Sequence, residues 1–267
     1  MPVFSIPIVL LRLWTSQHVV NKWHKDDTLV VIATVLNLCQ SVLVCISARL
    51  GSGDHIFNVS PKEFSLLLDL SKWAGVPLYA LSTLVIKAAI LLFYLRFSVD
   101  RSFEFCTYTV LFVVVVYCLA QCIGHMAIDC YKPTDSGCQP LAVLFIACAA
   151  CNVATDLAIL FLPIWILRPM KVPTGRKVGI ALILMAGGFV SAVSIVRLIS
   201  TIYVKTEDLT YEWGNSIKWS LIECWSGLIC ACLPCIKPFF TRYFPSFPLW
   251  GLLEDSSGSM RQLRTID

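Results

Sequence analysis

Six long apolar runs alternate with short polar segments along this chain, near residues 28–50, 73–95, 105–128, 141–165, 178–203 and 216–238. A helix rises about 1.5 Å per residue, so roughly 20 apolar residues carry it across the ~30 Å hydrocarbon core of a bilayer. Each run meets that length. A seventh, over residues 3–20, is apolar at Val3, Phe4, Ile6, Val9, Leu10, Leu13 and Trp14, but it carries Arg12 and begins almost at the first residue. It is too short to cross comfortably, and it lacks the charged start and small-residue cleavage site of a secretory signal. It reads as the inner part of a first helix. The pattern predicts an all-α, polytopic seven-helix transmembrane bundle with a short or truncated first helix. Residues 1–243 form that membrane domain, and residues 244–267, with Ser256, Ser257, Gly258 and Ser259, form a short flexible cytoplasmic tail.

Composition sharpens the picture. Of 267 residues, 57% are hydrophobic and 14% charged, with a mean hydropathy of +0.76, against about 25% charged in an ordinary soluble domain. The lipid bilayer is therefore the first partner. A net charge of +4 does not indicate a nucleic-acid partner, because basic residues interleaved with stacking aromatics on one face are missing.

The charge that remains is distributed by side. Lys22 and Lys25, Arg96 and Arg101, Arg168, Lys171, Arg176 and Lys177, then Lys237 and Arg242 all fall in alternate connections. The opposite connections mix Arg49, Lys62, Lys72, Lys132, Lys205 and Lys218 with acidic residues such as Asp54, Glu63, Asp69 and Asp135. The positive-inside rule makes the first side cytoplasmic, with the N terminus outside and the C terminus inside, in the plasma membrane or an endomembrane. Two features of the outer loops agree. Asn58-Val59-Ser60 is an N-glycosylation acceptor pattern, and Cys130 and Cys138 flank a polar loop in a compartment that permits oxidation, so a disulfide between them is expected, with two free thiols as the alternative.

The other eleven cysteines read as small hydrophobes. Cys148 with Cys151, and Cys232 with Cys235, have no polar ligand shell around them, so no metal site is assigned. His125, near the outer end of its span, is expected to be a structural hydrogen-bonder.

Four charges stand inside the apolar runs: Lys87, Asp156, Arg197 and Glu223. A charge at that depth costs roughly 2.5 to 3.5 kcal/mol on insertion scales and faces a partner or a cavity. Lys87 and Asp156 lie about 14 to 18 Å from the cytoplasmic face by helical rise, and Arg197 and Glu223 about 8 to 12 Å below the outer one. The spacing predicts two ion pairs at two levels, Lys87 with Asp156 and Arg197 with Glu223, supported by Asn152 and Trp219 one turn away on the same helix faces. Such pairs either hold the bundle together or line a ligand cavity.

The chain carries a series of local patterns in one order. They are Asp26-Asp27 opening a span, Gly51, Gly53 and His55 after it, Lys87 followed by Leu91-Leu92-Phe93-Tyr94-Leu95-Arg96, and the Cys130 to Cys138 loop. Asn152 with Thr155-Asp156 and Leu162-Pro163, Gly187-Gly188-Phe189, Ser194-Ile195-Val196-Arg197, and Trp219 with Glu223 then Ile229 to Pro234 complete it. As a set, over about residues 8–242, it resembles the fungal rhodopsin-like domain family of seven-helix membrane proteins. That resemblance implies a receptor-like protein or an accessory to secondary-metabolite, mycotoxin-type biosynthesis, as in proteins of satratoxin clusters and pathogenicity-related receptor-like proteins. The first helix departs from the family by its brevity, which leaves open seven spans or an incomplete reading frame. The cysteine loop departs by being shorter and lacking a tryptophan.

The rhodopsin likeness does not bring retinal with it. A Schiff base needs a lysine midway along the last span, and this one has Lys218 and Lys237 only at its ends; no cofactor is assigned. Tyr94-Leu95-Arg96 replaces the acid-Arg-Tyr triad of animal receptors and Asn-Pro-x-x-Tyr is missing, so G-protein coupling is not supported. Three readings stand: a receptor-like or accessory protein binding a small apolar ligand in the outer half of the bundle, a membrane cyclase or isomerase of lipid-like intermediates, and a small-molecule transporter. No catalytic residue is assigned, because an acid catalyst has to stay neutral and each acid here has a cation at its depth.

Overall fold

The computed structural model of the chain describes residues 2–20, 24–55, 59–96, 101–127, 138–167, 174–202 and 209–243. The helices are α1 (Pro2–Thr15), α2 (Lys25–Arg49), α3 (Pro61–Leu70), α4 (Val76–Leu95), α5 (Arg101–Ala127), α6 (Cys138–Leu167), α7 (Thr174–Ile202) and α8 (Leu209–Tyr243). No strand occurs among the described residues. Six helical stretches are long and apolar enough to cross a membrane, and α1, at 14 residues, is the short one.

Local chemistry sets the helix ends. Asp27, three residues into α2, accepts the His24 N–H at 3.3 Å, and Asp26 with Asp27 lies against the positive end of the helix dipole. At the other end of α2 the Ser52 N–H reaches the Ser47 carbonyl at 3.0 Å, closing a turn through Gly51 at φ 91°. A Cβ at Gly51 would also come within 2.9 Å of Val59.

Residues 61–72, expected as loop, are helical instead. Ser60 Oγ accepts the Glu63 N–H at 3.3 Å and Glu63 accepts the Ser60 N–H at 3.1 Å. That reciprocal cap, with Pro61 in the first turn, starts a helix whose mixed polarity hides it from a hydropathy window. The helix then runs through a π turn, Ser71–Gly75, straight into α4. Pro77 follows immediately, and its ring would collide with the carbonyl four residues back in a regular helix; the wider turn relieves that contact.

The polar and apolar positions are inverted relative to a soluble domain. Ile32, Val35 and Val42 on α2 and Phe105, Phe112 and Ile123 on α5 face outward, while Asn37, Ser82, Thr107, Asn152 and Ser194 are fully buried. A helix with apolar residues outside and small polar residues inside suits lipid, where backbones approach closely and hydroxyls bond across the seam. α4 is the central helix. It packs against α2, α5, α6 and α8 and buries residues on every side from Tyr79 to Tyr94. The largest apolar core joins Val30, Ala33, Tyr79, Ile86, Cys224, Trp225 and Leu228 from α2, α4 and α8. Its Trp225 indole donates to Ser41 Oγ at 3.1 Å.

Candidate functional site

Four neighbouring helices each contribute one charge to the bundle centre. Lys87 on α4 and Asp156 on α6 pair at 2.9 Å, and Arg197 on α7 pairs with Glu223 on α8 at 2.7 Å. Neutral groups join the two pairs into one network. Asn152, one turn before Asp156, donates its side-chain amide to Glu223 and, at 3.4 Å, to Asp156. Its side-chain oxygen accepts from Lys87 at 2.9 Å and from Tyr117 at 3.0 Å. Ser194, one turn before Arg197, lies 2.5 Å from an Asp156 oxygen and 2.9 Å from a Glu223 oxygen, so its single hydroxyl proton bridges both acids in turn. The physical reason is lateral: helical rise fixes depth along the membrane normal, and short polar side chains span the remaining step between adjacent depths.

The ammonium and both carboxylates of this network are fully engaged. Lys87 also reaches the Asn152 carbonyl at 3.0 Å and Thr155 Oγ1 at 2.8 Å, saturating its three protons. Tyr79 donates to Glu223 at 3.2 Å while the Arg197 guanidinium sits 5.1 Å above its ring. Each carboxylate oxygen of Asp156 and Glu223 therefore has at least one protein partner. Such an arrangement stores charge at low cost and offers no free acid or amine. α2 joins through Asn37, which accepts from Ser82 at 2.7 Å and donates to the Cys224 carbonyl at 3.3 Å.

A cavity of about 40 Å³ adjoins the network. Lys87, Asp156 and Glu223 line one end, aliphatic residues such as Ile86, Ile90 and Ile159 its walls, and Tyr94 and Cys230 the far end. It extends from the charges toward the Arg96 end of α4. Pockets for drug-sized molecules hold roughly 300 to 1,000 Å³, whereas one water needs about 10 to 15 Å³ of such free space. As it stands, the cavity fits a few waters.

A second ionic cluster escaped the sequence reading. Arg12, only 1% exposed, pairs with Asp26 at 2.8 Å and Asp27 at 3.2 Å and donates to the Ala231 carbonyl. Ser16 donates to Asp27 at 2.6 Å. α1 is thereby clasped to the start of α2 and to α8. The signal was present in the sequence: a cation within the first apolar run and two adjacent acids opening the next, at the same end of the bundle. His24, Asp26 and Asp27 have ligand atoms close enough to hold a cation, and the two carboxylates are held by the Arg12 guanidinium.

The remaining expected sites differ in outcome. Trp219 is half-buried and takes no part in the network among the described residues. His125 is not the structural hydrogen-bonder expected of it: both ring nitrogens are buried without a hydrogen-bond partner among the described residues, and the ring meets Phe145 edge-on at 5.2 Å. Asn58, Cys130 and the Cys138 side chain lie outside the described residues, as does the segment 244–267.

Residues 11–242 match the family described as the fungal rhodopsin domain. Among curated relatives, the chain is 31% identical to a protein of Emericella nidulans named SAT4 family membrane protein, over 73% of this chain and 51% of that one. It is 22% identical to Satratoxin biosynthesis SC1 cluster protein 4 of Stachybotrys chartarum, over 71% of this chain and 74% of the relative. It is 23% identical to Receptor GIN3 of Arthrobotrys oligospora, over 91% of this chain and 62% of the relative. The chain thus spans about half the length of the Emericella relative. No solved structure matches it.

Proposed function

The chain belongs to the fungal rhodopsin domain family, and from that membership and the buried network we propose that it is a receptor-like membrane protein, a sensor or accessory of secondary metabolism. The observation that carries this reading is the cavity whose floor is made by three of the four network charges. A molecule entering there presses on Lys87, Asp156 and Glu223, and through them on α4, α6, α7 and α8 at once. That is the structural requirement of a switch, in which a ligand biases an element with two arrangements. Relatives named for a receptor and for a toxin cluster support the two halves of the proposal. In this reading the Arg96 end of the bundle faces the cytoplasm, by the positive-inside rule, with the N terminus outside and the C terminus inside. The enzyme reading is weaker, because both carboxylates are fully engaged and an acid catalyst must hold a proton ready for substrate.

The test is thermal unfolding of purified protein in detergent against a panel of membrane-soluble metabolites, in wild type and Glu223→Gln. The expected result is a stabilising compound whose shift collapses in the variant. Stabilisation of equal size in both proteins would overturn a role for the network in reporting the ligand.

A further inference from the structure

Going beyond that reading, we infer that the Arg197 guanidinium is the floor of a second ligand site, on the side of the network away from the cavity, and takes the carbonyl oxygen of a neutral ester or lactone. The two buried arginines of the bundle are held differently. Arg12, 1% exposed, has all three side-chain nitrogens engaged. Arg197, 7% exposed, donates no hydrogen bond among the described residues; its buried Nε lies 2.7 Å from a Glu223 oxygen but out of line with it, and is left without a partner. The ion pair neutralises the charge and leaves the donors unused. A guanidinium carries five N–H donors in one plane, and a buried donor without an acceptor is costly, more so on a charged group.

Packing around Arg197 shows where a ligand reaches it. The guanidinium sits 5.1 Å over the Tyr79 ring, about two turns from Lys87 along α4, whereas the cavity runs the other way, from Lys87 to Tyr94. At this level the bundle changes from closed to half-open. Every residue of α8 over 223–228 is buried, but over 212–222 only Gly214 is. α7 has no buried residue after Arg197, and α4 has none before Tyr79. Arg197 thus stands where the packed core ends, on the Gly51 side of the bundle, the outer side by the positive-inside rule. Thr201, one turn further along α7, lies 3.5 Å from Ser216 of α8, so hydroxyls accompany the guanidinium there.

Donor type and charge balance set the ligand class. A guanidinium only donates, so its complement is an acceptor oxygen. Glu223 already matches the charge of Arg197, and Asp156 that of Lys87. The network is neutral, and an added carboxylate would leave a net negative charge in low dielectric. A carbonyl oxygen has two lone pairs for N–H donors and adds no charge. Only that oxygen has to reach Arg197, since the body of the ligand lies in the half-open part beside α7 and α8.

The experiment is infrared difference spectroscopy of the purified protein in lipid nanodiscs with γ-decalactone isotopically labelled at its carbonyl. The expected result is a saturable carbonyl band shifted to lower frequency by the guanidinium. Unlabelled lactone displaces it; hexylcyclopentane, the same skeleton without oxygen, and the ring-opened hydroxydecanoate do not. Arg197→Met with Glu223→Gln removes the ion pair as a unit. It is expected to abolish the shifted band and weaken lactone binding about ten- to hundredfold, the worth of a hydrogen bond to a charged group. Arg197→Lys keeps the charge beside Glu223 without the planar donor edge, and is expected to move the band back toward the free-lactone frequency. Ser220→Trp, which adds bulk on the half-open stretch of α8, is expected to weaken binding, and Gly227→Val, beside the cavity, to leave it unchanged. An unshifted band in wild type, a shifted band that survives in both Arg197 variants, or displacement by hydroxydecanoate as strong as by the lactone would overturn the site. So would binding lost in Gly227→Val and kept in Ser220→Trp, which would move the ligand to the cavity.

Discussion

Asn152 donates its side-chain amide to Glu223, so the acid of one ion pair is held by the helix that carries the acid of the other. The two pairs are therefore one object, and perturbing either is felt by both. Residues in one hydrogen-bonded network couple by roughly 0.5 to 3 kcal/mol, whereas independent sites add within about 0.5. A double-mutant cycle of Lys87→Met and Glu223→Gln, read by thermal or denaturant unfolding, is expected to show coupling in the first range. Additive effects would mean that the pairs are energetically separate.

Charge balance predicts a rescue. Removing Lys87 alone leaves Asp156 buried and unpaired, at a cost of roughly 3 to 5 kcal/mol, while replacing a whole buried pair by apolar residues is often neutral. Lys87→Met is expected to lower the unfolding midpoint sharply, and Lys87→Met with Asp156→Leu to recover most of the loss. A double variant less stable than the single one would show that the pair contributes more than mutual neutralisation.

The six long spans and the identity of the paired charges were legible in the sequence because lipid forces both: a helix must be apolar for about 20 residues, and a charge within it must find its opposite. The fusion of the pairs was not legible, because Ser194, Tyr79 and Tyr117 are neutral and carry no comparable insertion penalty to mark them out. α3 was lost for the related reason that hydropathy sees apolar length and is blind to a Ser60–Glu63 cap. Arg12 read as a blemish in a short helix until the second acid cluster was placed beside it.

At the Gly51 end of α2, loop and helix touch backbone to backbone. A Cβ on Gly214 of α8 would lie 2.7 Å from the backbone of Gly53, and nearby His55 stacks on Tyr211 at 5.3 Å. Because backbone cannot rotate aside, Gly214→Ala is expected to unseat this loop, raising proteolysis within residues 50–55 while the network-dependent stability changes little. Gly53→Ala meets no atom within 4 Å and is expected to cost only the strain of its positive φ, about 1 kcal/mol. Equal protease sensitivity in the two variants would show that the close approach to Gly214 is unimportant.

Arg12 is the residue on which the seating of α1 depends. Its three nitrogens engage two side chains at the start of α2 and a main-chain oxygen of α8. Truncating it leaves two adjacent carboxylates buried with one cation lost, the situation that costs roughly 3 to 5 kcal/mol for a broken buried pair. Asp26→Asn keeps Asp27 as the guanidinium's counter-charge and should cost appreciably less. The consequence is local before it is global, because α1 is short and packs mainly on α2 and α8. A cysteine placed at Val9, which is buried between α1 and the core, reports it. In a background where labelling of this position can be resolved, Val9→Cys is expected to resist a membrane-permeant thiol reagent with Arg12 present and to react several-fold faster with Arg12→Ala. Protection unchanged by Arg12→Ala would show that apolar packing alone holds α1 in place.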